Sequence, residues 1–230
     1  QCSLTTATLA PPPGVCRLRF GIVSDPHCTP DRDSNKRLFA ESFGLLTDAL
    51  HHLGRLGAAF VVIPGDLTEQ GTSGEIEACR KILADSPVPA YPMIGNHEKE
   101  PRRFFRAFGL GDGYYSFDHG EFHFVCLRTV SASDLSVESD QGKWLSSDLS
   151  THAGKDTFLF SHYPLVKHPY LYEQEDSDRE VNNTGEIGAL LGGYPQIRAA
   201  FAGHKNIPTR TDQDHVAHII CPQIVHYPCG

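Results

Sequence analysis

Residues 59–69 read Ala-Phe-Val-Val-Ile-Pro-Gly-Asp-Leu-Thr-Glu. The apolar run is too short for a helix, is rich in β-branched side chains and stops at Pro64-Gly65, so it reads as a buried strand that hands the chain to Asp66 at its carboxyl end. Four other segments follow the same plan: Leu18–Ser24 runs into Asp25 and His27, Ala90–Gly95 into Asn96 and His97, Thr157–Ser161 into His162, and Ala199–Gly203 into His204. In an open α/β sheet the crevice for ligands lies beyond the carboxyl ends of the strands, where side chains from separate segments converge.

The intervening sequence is helical in pattern. Phe39, Phe43, Leu46, Leu50 and Leu53 repeat at steps of four and three, with Gly54 and Gly57 as stops. Thr72 and Glu75 have capping-box spacing ahead of Ile76, Cys79, Ile82 and Leu83. Pro101 suits the first turn of a short helix carrying Phe104, Phe105 and Phe108. Tyr114–Phe117 and Phe122–Leu127 read as strands about a turn at His119-Gly120, Gln141–Leu149 as a helix with Trp144, and Ile187, Leu190 and Leu191 as another short helix before Gly192-Gly193. Residues 1–16, with Pro11-Pro12-Pro13-Gly14, read as a mobile lead-in, and residues 17–230 as one domain.

Composition bounds the function. A chain of 230 residues is long enough for one sizeable core, and no apolar run approaches the roughly 18 residues of a membrane span. The net charge of −8 opposes attraction to long nucleic acid, whereas divalent cations at a site would let an acidic protein receive a small phosphate. The seven cysteines lack zinc-ribbon spacing: Cys79 and Cys126 read as core thiols, and Cys2 with Cys16 or Cys221 with Cys229 as pairs that an oxidising compartment would join. The chain begins with Gln and its only Met is Met93, so it reads as a processed form whose targeting segment has been removed. Asn182-Asn183-Thr184 fits a glycosylation acceptor. The compartment is left open.

Asp25-Pro26-His27, Gly65-Asp66, Gly95-Asn96-His97-Glu98, His162 and Gly203-His204-Lys205-Asn206 occur in the order and rough spacing of the calcineurin-like metallophosphoesterases, which the chain resembles over about residues 18 to 206. The resemblance implies a four-layer αββα sandwich of two mixed β-sheets flanked by helices. It also implies two divalent metals, one held by Asp25, His27 and Asp66 and the other by Asp66, Asn96, His162 and His204. Two ions that close need a carboxylate between them, and Asp66 is the best bridge. Oxygen and nitrogen donors without thiolates suit Mn, Fe or Zn. The ions would polarise phosphoryl oxygens and turn the water between them into the nucleophile. His97 follows a ligand and is free to protonate the leaving oxygen as general acid, a role the resemblance also implies, and Asn96 and His97 are the candidate substrate contacts. The expected substrates are small phosphodiesters or phosphomonoesters, cyclic nucleotides included.

The usual last motif of that family is Gly-His-x-His, and here Asn206 replaces the second histidine. An amide oxygen is a poorer donor than imidazole, so the Asp25/His27 metal is expected to be weak unless His215, His218 or His226 supplies a nitrogen from a later loop. A noncatalytic interaction module with an impaired metal site is the alternative that Asn206 supports. The metal-binding Tyr of purple acid phosphatases, three residues after the bridging Asp, is Glu69 here. Elsewhere the plain readings stand: His51, His52 and His152 solvated, His119 and His123 structural, Cys28 packed rather than reactive, and Lys205 a surface lysine rather than a phosphate contact. The stretch from His168 to Glu180 reads equally as a substrate-selecting rim or as an ordinary loop.

Overall fold

Val61, Val62 and Ile63 are β-branched and all fully buried, which suits a strand covered on both faces, and they form the centre of the first sheet. The computed structural model describes residues 16–31, 37–131, 133–168, 183–205 and 207–225. In chain order the elements are β1 (Gly21–Ile22), α1 (Ser42–Arg55), β2 (Val61–Ile63), α2 (Ser73–Ala84), β3 (Ala90–Pro92), α3 (Pro101–Phe108), β4 (Tyr115–His119), β5 (Phe122–Leu127), α4 (Asp140–Thr151), β6 (Asp156–Ser161), α5 (Thr184–Gly192), β7 (Ile197–Ala202), β8 (Thr209–Gln213) and β9 (Val216–Ile220). Strands β1, β2 and β3 form a parallel sheet. The second sheet has the order β4-β5-β6-β7-β9-β8, parallel through β5, β6, β7 and β9 with an antiparallel strand at each edge.

Strand β5 shows how the layers stack. Phe122, Phe124 and Cys126 point toward the first sheet, into a core with Phe60, Val62 and Phe160, while Val125 and Leu127 point the other way, against Leu145 and Leu149 of α4 and Ile187 and Leu191 of α5. On the far side, Leu46, Leu50, Ile76, Cys79 and Phe104 of α1, α2 and α3 cover Val61 and Ile63. Helices, sheet, sheet and helices are thus four layers in sequence. The middle one is aromatic: the Phe60 and Phe124 rings cross edge to face at 4.7 Å, a favoured arrangement of ring quadrupoles.

Local signals hold where the sequence carried them. Thr72 accepts from Glu75 N at 3.2 Å and Glu75 Oε2 accepts from Thr72 N at 2.9 Å, a complete capping box that contributes about 1 kcal/mol to α2. Pro101 opens α3 and Gly109 ends it in the left-handed conformation. Two differences have physical reasons. Of the expected strand over 18–24 only Gly21 and Ile22 form a regular ladder with β2, because from Ser24, which bridges Gln223 instead, the chain bends into the site. The β8–β9 hairpin is additional: its edge strand is polar at every position, and its turn uses Asp214 at φ 54° where glycine would have announced it. His218 is therefore a strand residue of β9 and not part of a later loop.

His152 is not a solvated helix residue. Its ring stacks on His123 at 3.8 Å, at the amino end of β5 and remote from the strand ends that carry the metal-type residues. His123 is 1% exposed, with Nδ1 2.8 Å from Asp118 Oδ1 and Nε2 2.8 Å from Asp148 Oδ2, while Lys155 also reaches Asp118. Burial works against the His123 charge, but hydrogen bonds to Asp148 and Asp118 outweigh it and raise the pKa. A raised folded-state pKa gives stability that is complete below the unfolded value of about 6.5 and is lost as pH rises through the folded one. We expect the urea midpoint to fall more steeply in the wild type than in His123→Gln as pH rises above about 6.5. Equal slopes would mean that the imidazole is neutral in this pair of carboxylates.

Candidate metal centre

The five strand ends meet on one side of the sandwich. The first sheet brings Asp25 and His27 after β1, Asp66 after β2, and Asn96 and His97 after β3, and the second sheet brings His162 after β6 and His204 after β7. To present these side chains the backbone turns through the left-handed region at Asp25 (φ 48°), His27 (42°), Asp66 (46°) and His204 (66°). Each such residue costs on the order of 1–3 kcal/mol and persists only where its surroundings over-determine it.

The bracing is visible. His27 N and Cys28 N donate to the Asp66 and Leu67 carbonyls at 2.9 Å. The buried Glu98 carboxylate accepts from Thr68 N and Thr68 Oγ1 at 2.8 Å and from Gly95 N at 2.7 Å, which ties the loop after β2 to the loop after β3. Burial, and then the Asp66 charge, push Glu98 up to about 8. Thr129 Oγ1 accepts from His162 N at 3.0 Å and from Tyr163 N at 2.9 Å. At Gly95 a Cβ would collide with the Asp66 carboxylate and amide, and at Gly65, itself at φ 94°, with the His162 ring.

Asp66 is the centre of the arrangement. Ligand-type atoms of His27, Asp66 and His97 lie within 4.8 Å of one another, and so do those of Asp66, His162 and His204. His162 Nδ1 lies 3.0 Å from the Pro64 carbonyl, which directs Nε2 inward, 2.8 Å from Asn96 Oδ1, 3.2 Å from His204 Nδ1 and 3.3 Å from Asp66 Oδ1. His97 Nδ1 lies 2.8 Å from the Glu69 carbonyl and His97 N donates to Asp66 Oδ1 at 2.9 Å, so its Nε2 is the nitrogen left for chemistry, 4.0 Å from Asp66 Oδ2. Asp25 is also wholly buried, but its Oδ1 accepts from His204 N at 2.9 Å and it joins neither three-residue group.

Charges here balance in pairs. Burial raises Asp66, yet the His162, His27 and His97 rings win and hold its carboxyl well below the usual range. Burial works against a charged His162, yet Asp66 and then Asp25 raise it to about 9. Asp25 itself is raised by burial. Such a cluster exchanges protons for cations, since metal binding requires neutral imidazole and ionised carboxylate. The residues fit that exchange: His27 Nε2 is buried without a hydrogen-bond partner, 3.6 Å from Asp66 Oδ2, which leaves room for an ion at about 2.0–2.2 Å from each.

Several expectations change. His215 Nε2 lies 3.0 Å from the Tyr194 carbonyl, and His218 lines a small pocket with His168, so neither joins the two groups around Asp66. Lys205 is buried, not on the surface. Cys28, as expected, is packed: a core thiol with Sγ 3.7 Å from the Ser42 carbonyl. Asn206, His226, Cys2, Cys229, Asn182 and residues 169–180 of the expected rim lie outside the described residues.

Sequence reasoning passed over Glu69. Its Oε2 lies 2.7 Å from His27 Nδ1, 3.2 Å from His97 Nδ1 and 3.2 Å from Arg37 NH1, so one carboxylate orients two functional rings from behind. Burial raises Glu69, but the His27 and His97 hydrogen bonds prevail and lower it to about 2. We expect Glu69→Gln to lower kcat/KM or metal affinity on the order of 10–100-fold, as for other outer partners of metal-site histidines. Wild-type kinetics and metal content in the variant would leave Glu69 only its pairing with Arg37.

Comparison with known proteins agrees with this geometry. The sequence model described as calcineurin-like phosphoesterase matches residues 18–208. A 3′,5′-cyclic-nucleotide phosphodiesterase of Nostoc sp. is 25% identical over 187 residues, covering 79% of this chain and 68% of that protein. A protein of Arcobacter nitrofigilis named as a probable glycerophosphodiester phosphodiesterase is 26% identical over 156 residues, covering 63% of this chain and 55% of that one. The chain thus spans between about half and two thirds of the length of these relatives. In fold it is similar to a dimetal phosphatase from Danio rerio, with a TM-score of 0.74 at 20% identity over 92% of this chain and 89% of that one.

Proposed function

Because the chain belongs to the calcineurin-like phosphoesterase family and is a metal-dependent phosphoric ester hydrolase, we propose that it cleaves small phosphodiesters or phosphomonoesters at the Asp66-centred cluster. The observation that carries the reading is that Asp66 is common to both groups of ligand-type atoms, as a carboxylate shared by two ions must be. In this reading Asp25, His27 and Asp66, with Asn206, hold one ion, and Asp66, Asn96, His162 and His204 hold the other. Mn, Fe and Zn all suit these donors. Bound ions would polarise the phosphoryl oxygens and lower the pKa of the attacking water.

The chain's own residues do the rest. Glu98 and Thr129 fix the loops that aim the donors. His97 is one-quarter exposed and so open to substrate, with Nδ1 committed to Glu69. Burial lowers its pKa, but Glu69 and Asp66 raise it overall, which favours the charged ring from which Nε2 would deliver a proton to the departing oxygen. Among the described residues no helix is long and apolar enough to cross a membrane. Elemental analysis of the purified protein, joined to a phosphoester panel assayed with added Mn²⁺, tests the proposal. We expect up to two ions per chain and cation-dependent hydrolysis, and a chain that binds no divalent ion would overturn it.

A further inference from the structure

Next to the His97 loop lies an open pocket of about 670 Å³ whose walls include Lys99, Arg102, Arg103, Arg106 and Arg128, with Glu100 the one carboxylate among them. In a chain with a net charge of −8 this is a local reversal of sign. Arg103 pairs with Glu100 at 2.8 Å. The other cations have only neutral partners among the described residues. Lys99 Nζ donates to Gln70 Oε1 at 2.9 Å, Arg106 Nε to the Arg102 carbonyl at 3.3 Å and Arg128 NH1 to the Asp112 carbonyl at 2.9 Å, while the Arg102 side chain makes no ion pair. Gathering like charges around a single carboxylate leaves them in excess until an anion arrives, and guanidinium forks match phosphate oxygens.

The pocket shares its walls with the loops that hold His97. Lys99 N donates to the His97 carbonyl at 3.0 Å, and Arg103 NH1 donates at 3.1 Å to the carbonyl of Gly71, two residues beyond Glu69 and Gln70. An anion in the pocket would therefore lie against the loop that carries the proposed general acid. The volume suits a small ligand.

We propose that this pocket is a second anion subsite, and that the substrates of this hydrolase are phosphoesters whose leaving group carries another phosphate. The inference rests on the reading of His97 as the general acid of phosphoester hydrolysis, and it favours doubly phosphorylated esters over cyclic nucleotides, which bear one phosphate.

The test compares esters that differ only in a second phosphate: adenosine 3′,5′-bisphosphate against adenosine 3′-phosphate, and 5′-phosphorylated against unphosphorylated thymidine dinucleotide, at low salt with Mn²⁺. The wild type should favour the doubly anionic member of at least one pair by about tenfold or more in kcat/KM, the scale of one charge-assisted hydrogen bond. In Arg102→Glu/Arg106→Glu that ratio should fall toward one, whereas Arg210→Glu, an exposed change on β8 of the other sheet, should keep it. Absence of the preference, its survival in the double variant, or its equal loss in Arg210→Glu would overturn the subsite. Bis(p-nitrophenyl) phosphate reports separately on the hydrolase reading. Should no ester be cleaved, calorimetry of inorganic pyrophosphate with metal-stripped protein still decides the subsite: binding by the wild type that weakens at least tenfold in the double variant supports it, and no binding overturns it.

Discussion

Asp66→Ala should lose both metal ions and lower kcat by on the order of 10³-fold or more, since the ions supply several kcal/mol of transition-state stabilisation. Among the described residues no other belongs to both groups of ligand-type atoms. The same carboxylate accepts the His97 amide at 2.9 Å and offsets the charge of buried His162, so its removal also disturbs the proposed general acid and one ligand ring. Breaking such a pair from one side costs about 3–5 kcal/mol, and alanine tolerates the left-handed backbone less well than aspartate does. Asp66→Asn, which keeps the shape, separates lost charge from lost fold. By contrast His162→Ala should chiefly empty one site. Elemental analysis and circular dichroism make the check: a folded Asp66→Ala protein with both ions in place would remove the dinuclear assignment.

His97→Ala should leave the metal content as it is and slow hydrolysis of esters with alkyl leaving groups by about 10²–10⁴-fold, the usual contribution of a positioned acid. Nitrophenolate departs without a proton, so nitrophenyl esters should lose far less. The expectation comes from the ring's two engagements: Nδ1 faces the Glu69 carbonyl, and Nε2 stands 4.0 Å from Asp66, at the accessible edge of the cluster. His97 also falls in one group of ligand-type atoms with His27 and Asp66. Loss of an ion in the variant, with equal rate losses for all leaving groups, would make His97 a ligand.

What could be read from the sequence was whatever a short window carries. Apolar runs ending in Asp, Asn or His marked five strand ends, Thr72 with Glu75 marked a helix start, and Pro101 marked another. These depend on residues within a few positions of one another. The bracing of the site is of another kind. Glu69 lies three residues after Asp66 but orients a ring 42 positions earlier and another 28 positions later, and Thr129 holds a residue 33 positions away. No periodicity announces such partners. The basic pocket is hidden for a similar reason, because Lys99, Arg102, Arg103 and Arg106 are close in sequence but Arg128 joins them from beyond β5. The β8–β9 hairpin was concealed by its own chemistry, an edge strand without an apolar residue and a turn without glycine.

The left-handed backbone at Asp25, His27, Asp66 and His204 has a consequence for how this chain can change. At these positions the backbone asks for glycine, and a glycine there would return part of the roughly 1–3 kcal/mol that each conformation withholds from stability. Such a glycine would ease the backbone at that position while removing a buried carboxylate or imidazole from the cluster, and at Asp66 the lost pairing with His162 would outweigh the relief. The chain instead keeps two aspartates and two histidines where its main chain is least comfortable.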